Sequence, residues 1–527
     1  MAIHIRYKGY ELEFERYPTA AEMHAAWEGL QDRERKRLDH SDVIPARLNE
    51  NDRQRPLSFA QEWFWSLEQL AGGNPAYHLP LGVVLDGVLN VPAVGASLTE
   101  VVRRHEVLRC AFVDIEGRPA QMLAPARPVP LPIVDLGLIP RVAGQAIANQ
   151  VMLRLTRLRF DLSRGAMLRA TLLRLAAQRH ILFMVLHHIA SDAWSSSVLL
   201  RELTILYNAF SQNRPSPLAD LPLQYADVAR WQRRRVSGIR LDQMCQYWKK
   251  QLAGIPSSPL RIGRHRRPEV QSFRGGRQGF SVPAGPSESL RDFSRTQGAT
   301  LYMTLLSAFA VLLCRYTGQD DIVIGSPLSG RGCPETEGLI GSFVNTLPMR
   351  CDLSGNPRFN EAVRRVRQAV LAAFAHQELP FERIVAVVSP ERKASHTPIY
   401  QAVFDFNNTP RATDAASPGL EFHTLGLDTG AAKLDLVVDM WWRGAELAGS
   451  VEYNSALLDG DEAVELCQRF EILLSNLAAR PGVRLNSISW SDRLDARPAT
   501  LDPRRVEIET WRRFVAATAK TTPIRMQ

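Results

Sequence analysis

The chain has 527 residues, more than one hydrophobic core usually serves, so two or three domains are expected. Its composition, 45% hydrophobic and 23% charged, is that of an ordinary globular protein and excludes a collagen-like or wholly disordered chain. The net charge of +9 is spread over arginines interleaved with acidic residues, and the basic clusters at 32–38 and 261–269 are short and lack interleaved aromatics; an acidic protein partner fits this charge, and no nucleic acid is expected.

In chain order, residues 3–14 alternate apolar and polar around Lys8-Gly9, which predicts a small hairpin. Thr19 and Glu22 have capping-box spacing before a charged helical stretch, and the N-terminus has no apolar run that would make a signal peptide. Residues 1–45 therefore read as a small appended element, with docking as one use. The span 50–225 reads as a mixed α/β subdomain, with strands at "LGVVLDGVL" and "RHILFMVLHH" and helices at "VPAVGASLTEVVRRHEVL" and "SSSVLLRELTILYNAF". The span 226–490 reads as a second α/β subdomain. It holds a helix at 301–314, a strand "DIVIGSP", a helix "NEAVRRVRQAVLAAFAHQ" and strands "YQAVFDFNN" and "LDLVVDMWW". The apolar stretch 301–314 is too short to cross a bilayer and predicts a buried helix. Residues 491–527 turn polar and end in a short helical segment. The six cysteines form no CxxC pair, which predicts a reducing, cytoplasmic setting without disulfides.

The most informative stretch is "MVLHHIASDAWSSS", residues 184–197. Adjacent side chains at a strand end point to opposite sides, so His187 and His188 do not readily share one metal ion, and no HExxH motif supplies further ligands; no metal is expected. One imidazole should enter the core and the other a cleft at the strand's carboxyl end. There it is suited to acid/base work near neutral pH. Asp192, in the loop that follows, has the choice of a helix N-cap or a charge partner.

The stretch resembles the HHxxxDG signature of nonribosomal peptide synthetase condensation domains. Six further segments are similar to that family's motifs and occur in the same order: "LSFAQEWFWSLEQL" (57–70), "RRHEVLRCAF" (103–112), "LQYADVARWQ" (223–232), "IGSFVNTLPMR" (340–350), "HQELPFERIV" (376–385) and "RKASHTPIYQAVFDFNN" (392–408). The resemblance implies an α/β fold of two chloramphenicol-acetyltransferase-like subdomains in a V-shaped pseudo-dimer with a tunnel between them. It implies an acyltransferase that moves an acyl, aminoacyl or peptidyl group from a donor thioester to the amine of an aminoacyl group on an acceptor carrier protein. The substrates would arrive on the phosphopantetheine arms of partner carrier proteins or on CoA, with no cofactor bound by this chain. The tail resembles the lead-in to an adjacent adenylation domain, and the chain is expected to be a monomer that opens its polypeptide.

By the same resemblance, His188 is the catalytic residue, as a base or as a positioning group, and His187 and Asp192 support it. Asp192 is expected to pair with an arginine of the second motif, Arg109 first and Arg104 second. Trp194, Ser58 and Asn345 are candidates for lining the tunnel. The family's glycine after the aspartate is Ala193 here; in an ordinary backbone conformation its methyl group merely narrows the space beside His188. Three other readings stay open. One is a starter domain that attaches a fatty acyl group and so makes a lipopeptide. Another is an epimerisation domain, which would need a general acid/base glutamate in the second half. The third is a non-catalytic recruiting module.

Overall fold

The computed structural model describes residues 54–488 apart from short breaks at 72, 74, 257, 390–392, 408–414 and 418, together with Ile44 and the backbone of 3–7 and 10–14. The predicted hairpin is present: β1 (Ile3–Tyr7) pairs antiparallel with β2 (Tyr10–Phe14), Ile3 opposite Phe14. The expected helix after Thr19 and the tail 491–527 lie outside the described residues.

The amino-terminal half opens with β3 (Gln54–Pro56) and α1 (Phe59–Ala71). Ser58 starts that helix by a reciprocal cap: its hydroxyl accepts the Gln61 N–H and its own N–H donates to the Gln61 side chain. There follow β4 (His78–Gly87), α2 (Val91–Arg104), β5 (Cys110–Ile115), β6 (Arg118–Leu123), β7 (Ile133–Asp135), α3 (Arg141–Arg157), β8 (Leu168–Ala176), β9 (Arg179–His187) and α4 (Ala193–Phe210). Strand β9 lies between β4 and β8, and every side chain from His180 to His187 is buried. A strand enclosed on both faces reads as an unbroken apolar run, as "ILFMVL" does.

Helices α5 (Tyr225–Arg235) and α6 (Gly238–Gln251) lead to the carboxyl-terminal half. It contains β10 (Gly275–Val282), α7 (Ala284–Thr296), α8 (Leu301–Thr317), β11 (Asp321–Leu328), β12 (Asn345–Asp352), α9 (Phe359–Ala375), α10 (Phe381–Val388) and β13 (Ala402–Asn407). It ends with β16 (Leu436–Arg443), β17 (Glu446–Asn454) and α11 (Gly460–Ala479). Its six-stranded sheet runs β10-β17-β16-β13-β11-β12. Helix α8 is buried at every position from Met303 to Leu313, an apolar run interrupted only by Thr304 and Ser307, whose hydroxyls bond Ser294 and the Met303 carbonyl. No single described helix is long and apolar enough to cross a membrane; α7 and α8 together reach that length but are bent by 108°.

The halves interlock. Strands β14 (Ala415–Ser417) and β15 (Leu420–Leu425) belong to the second half by sequence, yet they complete the first half's sheet, in the order β14-β15-β4-β9-β8-β7. Leu420 and Phe422 are buried in the amino-terminal core together with Leu339, Ile340 and Phe343. Two like α/β halves, each with a six-stranded mixed sheet, thus form the expected pseudo-dimer, tied by chain that crosses between them.

Candidate functional site

Strand β9 delivers the two histidines to different environments, as the alternation of a strand end requires. His187 is fully buried; its Nε2 lies 3.0 Å from Glu68 Oε1, and its Nδ1 accepts the Ile189 N–H at 3.1 Å. His188 is half-buried, with its N–H held by the Tyr77 carbonyl at 2.9 Å and its ring stacked on Phe64 at 4.7 Å between centroids. Its Nδ1 is enclosed and makes no well-formed hydrogen bond, so Nε2 is the nitrogen on the open side. Burial, and after it the charge of Lys433, holds this imidazole well below the usual histidine range; the backbones of His188 and Ser191 act the other way. Burial thus favours the neutral ring, the form with a free lone pair.

Asp192 takes both roles that the sequence left open. Its Oδ1 caps α4 through the Ser195 N–H (2.8 Å) and hydroxyl (2.7 Å), and its Oδ2 accepts the Phe343 N–H at 3.0 Å. Its charge partner is Arg331, whose Nη2 lies 3.2 and 3.4 Å from the two oxygens. The expected pairing with Arg109 or Arg104 is thus overturned. Arg104 is buried against Glu202, with Nε at 3.1 Å, and also bonds the Ala219 carbonyl. Arg109 bonds the Ala124 carbonyl and lies near Glu106. Both second-motif arginines had nearer carbonyls and carboxylates within their own half. The partner comes instead from the loop before β12, where Gly330 (φ +64°) brings the backbone so close to the Phe343 carbonyl that no side chain would fit.

Other candidates serve the frame around His188. The Ser58 hydroxyl lies 2.7 Å from the Tyr225 hydroxyl, which also bonds the Ser342 carbonyl, so three motifs meet there. Asn345 spends its amide on the carbonyls of Gln377 and Leu379 and on the Phe381 N–H, which fixes the start of α10. Trp194 donates its indole N–H to the Glu337 carbonyl, reaching across to the second half. Ala193 begins α4 without a positive φ and is exposed, so its methyl group replaces the family's glycine without backbone strain.

The fold also assembles a triad that spacing did not reveal: the ligand-type atoms of Glu68, His78 and His187 lie within 4.8 Å of one another. The residues do not fit a metal. His187 Nδ1 accepts an N–H, so in the neutral ring the proton sits on Nε2, the atom a metal would need. That proton points at Glu68. His78 bonds the Thr156 carbonyl through Nδ1 and keeps a buried, unpartnered Nε2; burial lowers its pKa to about 4. The triad is a buried polar support under the His188 loop.

Two like α/β halves, each built on a six-stranded mixed sheet, make the chloramphenicol-acetyltransferase-like pseudo-dimer. Within it, the condensation-domain family model matches residues 51–497, and the chain belongs to that family. It is 41% identical over 422 residues to malpinin synthetase of Mortierella alpina, spanning 80% of this chain but 5% of that protein. Among solved structures, it is 29% identical to the X-domain in the complex of the X-domain and OxyB from teicoplanin biosynthesis (TM-score 0.78, covering 85% and 98% of the two chains). The first condensation domain of the calcium-dependent antibiotic synthetase, at 22% identity, shares the fold (TM-score 0.69, covering 83% and 99%).

Proposed function

We propose that the chain is an amide-forming condensation domain of a nonribosomal peptide synthetase. Its substrates are a donor thioester and the amine of an aminoacyl thioester on an acceptor carrier protein. The amine nitrogen attacks the donor carbonyl, the C–S bond breaks, and the amine proton passes through His188 Nε2 to the departing thiolate, so that an amide and a free thiol result. A thioester is already reactive; what the protein must add is alignment, a neutral amine and a proton path. The observation that carries this reading is the half-buried imidazole of His188, stacked on Phe64 just past the end of β9 with its Nδ1 enclosed. Donor and acceptor carriers, on phosphopantetheine, and an adjacent adenylation domain are the partners it implies, in the cytoplasm. The donor is aminoacyl or peptidyl, or fatty acyl if this is a starter domain.

The test is intact-mass analysis of an aminoacylated acceptor carrier offered an acyl-CoA, an acyl-carrier and an aminoacyl-carrier donor in turn. A mass gain equal to one donor acyl group, lost in His188→Ala, is the expected result, and which donor gives it identifies the class. A second reading, a module that recruits another protein without chemistry, draws on the X-domain likeness, since that domain is described in complex with OxyB. No mass gain with any donor would favour it.

A further inference from the structure

The sheet of the carboxyl-terminal half has two unlike faces. Phe404 on β13, Val438 and Met440 on β16 and Val451 on β17 are buried in one core with Phe309 of α8 and Phe470 of α11. Alternation along each strand turns Asp405, Asp439 and Ser450 to the opposite face. The register sets them in one row: Asp405 pairs with Asp439, Asp439 with Ser450, and Ser450 with Gly279 of β10, which adds no side chain. Neighbouring strands lie about 4.8 Å apart, so two carboxylates stand side by side with a hydroxyl next to them. Trp441 follows on the same face, one row along, opposite Asn407.

This row is short of positive charge. Arg277 Nη2 holds Asp439 Oδ2 at 2.8 Å, and both of these side chains are partly open to solvent. Among the described residues Asp405 has no basic partner. Burial, and after it the charge of Asp439, raises the Asp405 carboxyl to about 6, as expected of two carboxylates served by one cation. The other charges on this side lie apart from the row: Glu452 stands in the neighbouring one, opposite Arg277 and Val437. Burial works against the Lys433 ammonium, and Glu452 supports it ahead of Asp439. The independent sign of a ligand is Ser450. The residue is only 7% exposed, yet its Oγ meets no hydrogen-bond partner. A buried hydroxyl left in that state costs free energy, which a bound donor would recover.

We propose that this row is a binding site for an organic ammonium group, received between the carboxylates of Asp405 and Asp439 with Ser450 Oγ as a third acceptor. An ammonium carries three N–H donors, which matches three oxygen-bearing side chains, and Trp441 supplies an aromatic ring of the kind that favours organic cations. A metal ion fits less well. One Asp439 oxygen is already spent on Arg277, and neither carboxylate belongs to the two metal-like clusters among the described residues. Two sources carry this chemistry: the basic side chain of an aminoacyl substrate, and a free amine. The first rests on the condensation reading; the site itself does not.

The probe is Nα-acetyl-lysine methylamide, with Nα-acetyl-norleucine methylamide as its uncharged counterpart, each titrated into the full chain and followed by saturation-transfer NMR. The lysine probe should bind about tenfold more tightly than the norleucine probe, and Asp405→Asn should erase that difference. Ser450→Ala should weaken the lysine probe about threefold. Equal binding of the two probes overturns the proposal, and so does unchanged lysine binding in Asp405→Asn. If Asp405→Asn melts early, Ser450→Ala decides in its place, and unchanged lysine binding there overturns the proposal. Acceptor carriers loaded with lysyl and norleucyl groups then separate the two sources. A lysyl preference that Asp405→Asn removes makes the aminoacyl side chain the ligand; probe binding without that preference makes it a free amine. If neither carrier is acylated, the condensation reading fails while the probe result stands.

Discussion

Arg331 crosses from the carboxyl-terminal half to Asp192, 139 residues earlier in the chain, and the two side chains are almost completely buried. The same guanidinium bonds the Ser195 hydroxyl and the carbonyls of Thr336 and Leu339, and lies 3.8 Å over the Phe343 ring. The loop that presents His188 is thus fastened to the opposite half by one ion pair. Removing one partner of a buried pair leaves an uncompensated charge, so Asp192→Asn should lose about 3 kcal/mol of stability. Arg331→Leu should do likewise. The double variant should be less damaged than the sum of the two, and strict additivity in denaturant unfolding would show that the pair is not coupled.

His187 and His188 should fail differently. His187→Ala removes the partner of Glu68 and the acceptor of the Ile189 N–H in a closed interior, so about 2 kcal/mol of stability should go with it. His188→Ala gives up a ring stack on Phe64 but no well-formed ring hydrogen bond, so its melting temperature should change little. Its amide formation should fall by roughly a hundredfold or more. Equal stability losses in the two variants would contradict this division.

Much of this was legible in the sequence, and the remainder was hidden for definite reasons. Strand β9 and helix α8 announce themselves because a fully enclosed element is an almost unbroken apolar run. Asp192 announces its cap because Ser195 follows at capping distance. Arg331 gives no such signal: it lies in the irregular "SGRGCP" loop, and only the packing of the two halves brings it to the motif. Glu68, His78 and His187 come from a helix and two strands that meet only in the folded sheet. Strand β15 was missed because its six residues, LEFHTL, alternate only briefly and carry no mark of which half they will join.

Acid should weaken the fold through His78. Its folded pKa of about 4 lies below the ordinary 6.5, so the unfolded chain takes up the proton first as pH falls. The stability present above pH 6.5 is therefore lost progressively between pH 6.5 and about 4, by about 3 kcal/mol from this residue. Glu382 and Asp405, raised by burial to about 7 and about 6, act in the opposite direction over the same window, though both are only half-buried. Comparing the parent with His78→Gln isolates the histidine's share: the difference in unfolding free energy should shift with pH in that window. A constant difference would assign no titration to His78.

Ala193→Gly, which restores the family's residue, should not raise the saturating rate more than about twofold. The alanine is already helical and exposed, and glycine near a helix start gains nothing in geometry while losing some helix propensity. The remaining way for the methyl group to matter is by narrowing the acceptor's path. In that case the apparent Michaelis constant for a bulky aminoacyl acceptor should drop in Ala193→Gly and that for glycyl acceptor should not. A large rise in rate for every acceptor would mean that the methyl group disturbs His188 itself.

Phe422 offers a test of the interlocked halves. It lies in the second half of the sequence, but its ring is buried in the first half's core, with its centroid 5.9 Å from that of Tyr207 on α4. Its strand β15 is the neighbour that β4 has on the side away from β9. Truncating a buried phenylalanine to alanine typically removes about 3–5 kcal/mol. In Phe422→Ala that loss should fall on the amino-terminal half, so hydrogen exchange should accelerate in β4 and β9 while α8 and β11, in the other core, keep their protection. If exchange accelerates first around α8, the two cores are one cooperative unit and the crossing strand belongs energetically to the half that supplies it. If nothing accelerates, β15 is a passive addition to the sheet, and the tie between the halves rests on the Asp192–Arg331 pair and the loop around it.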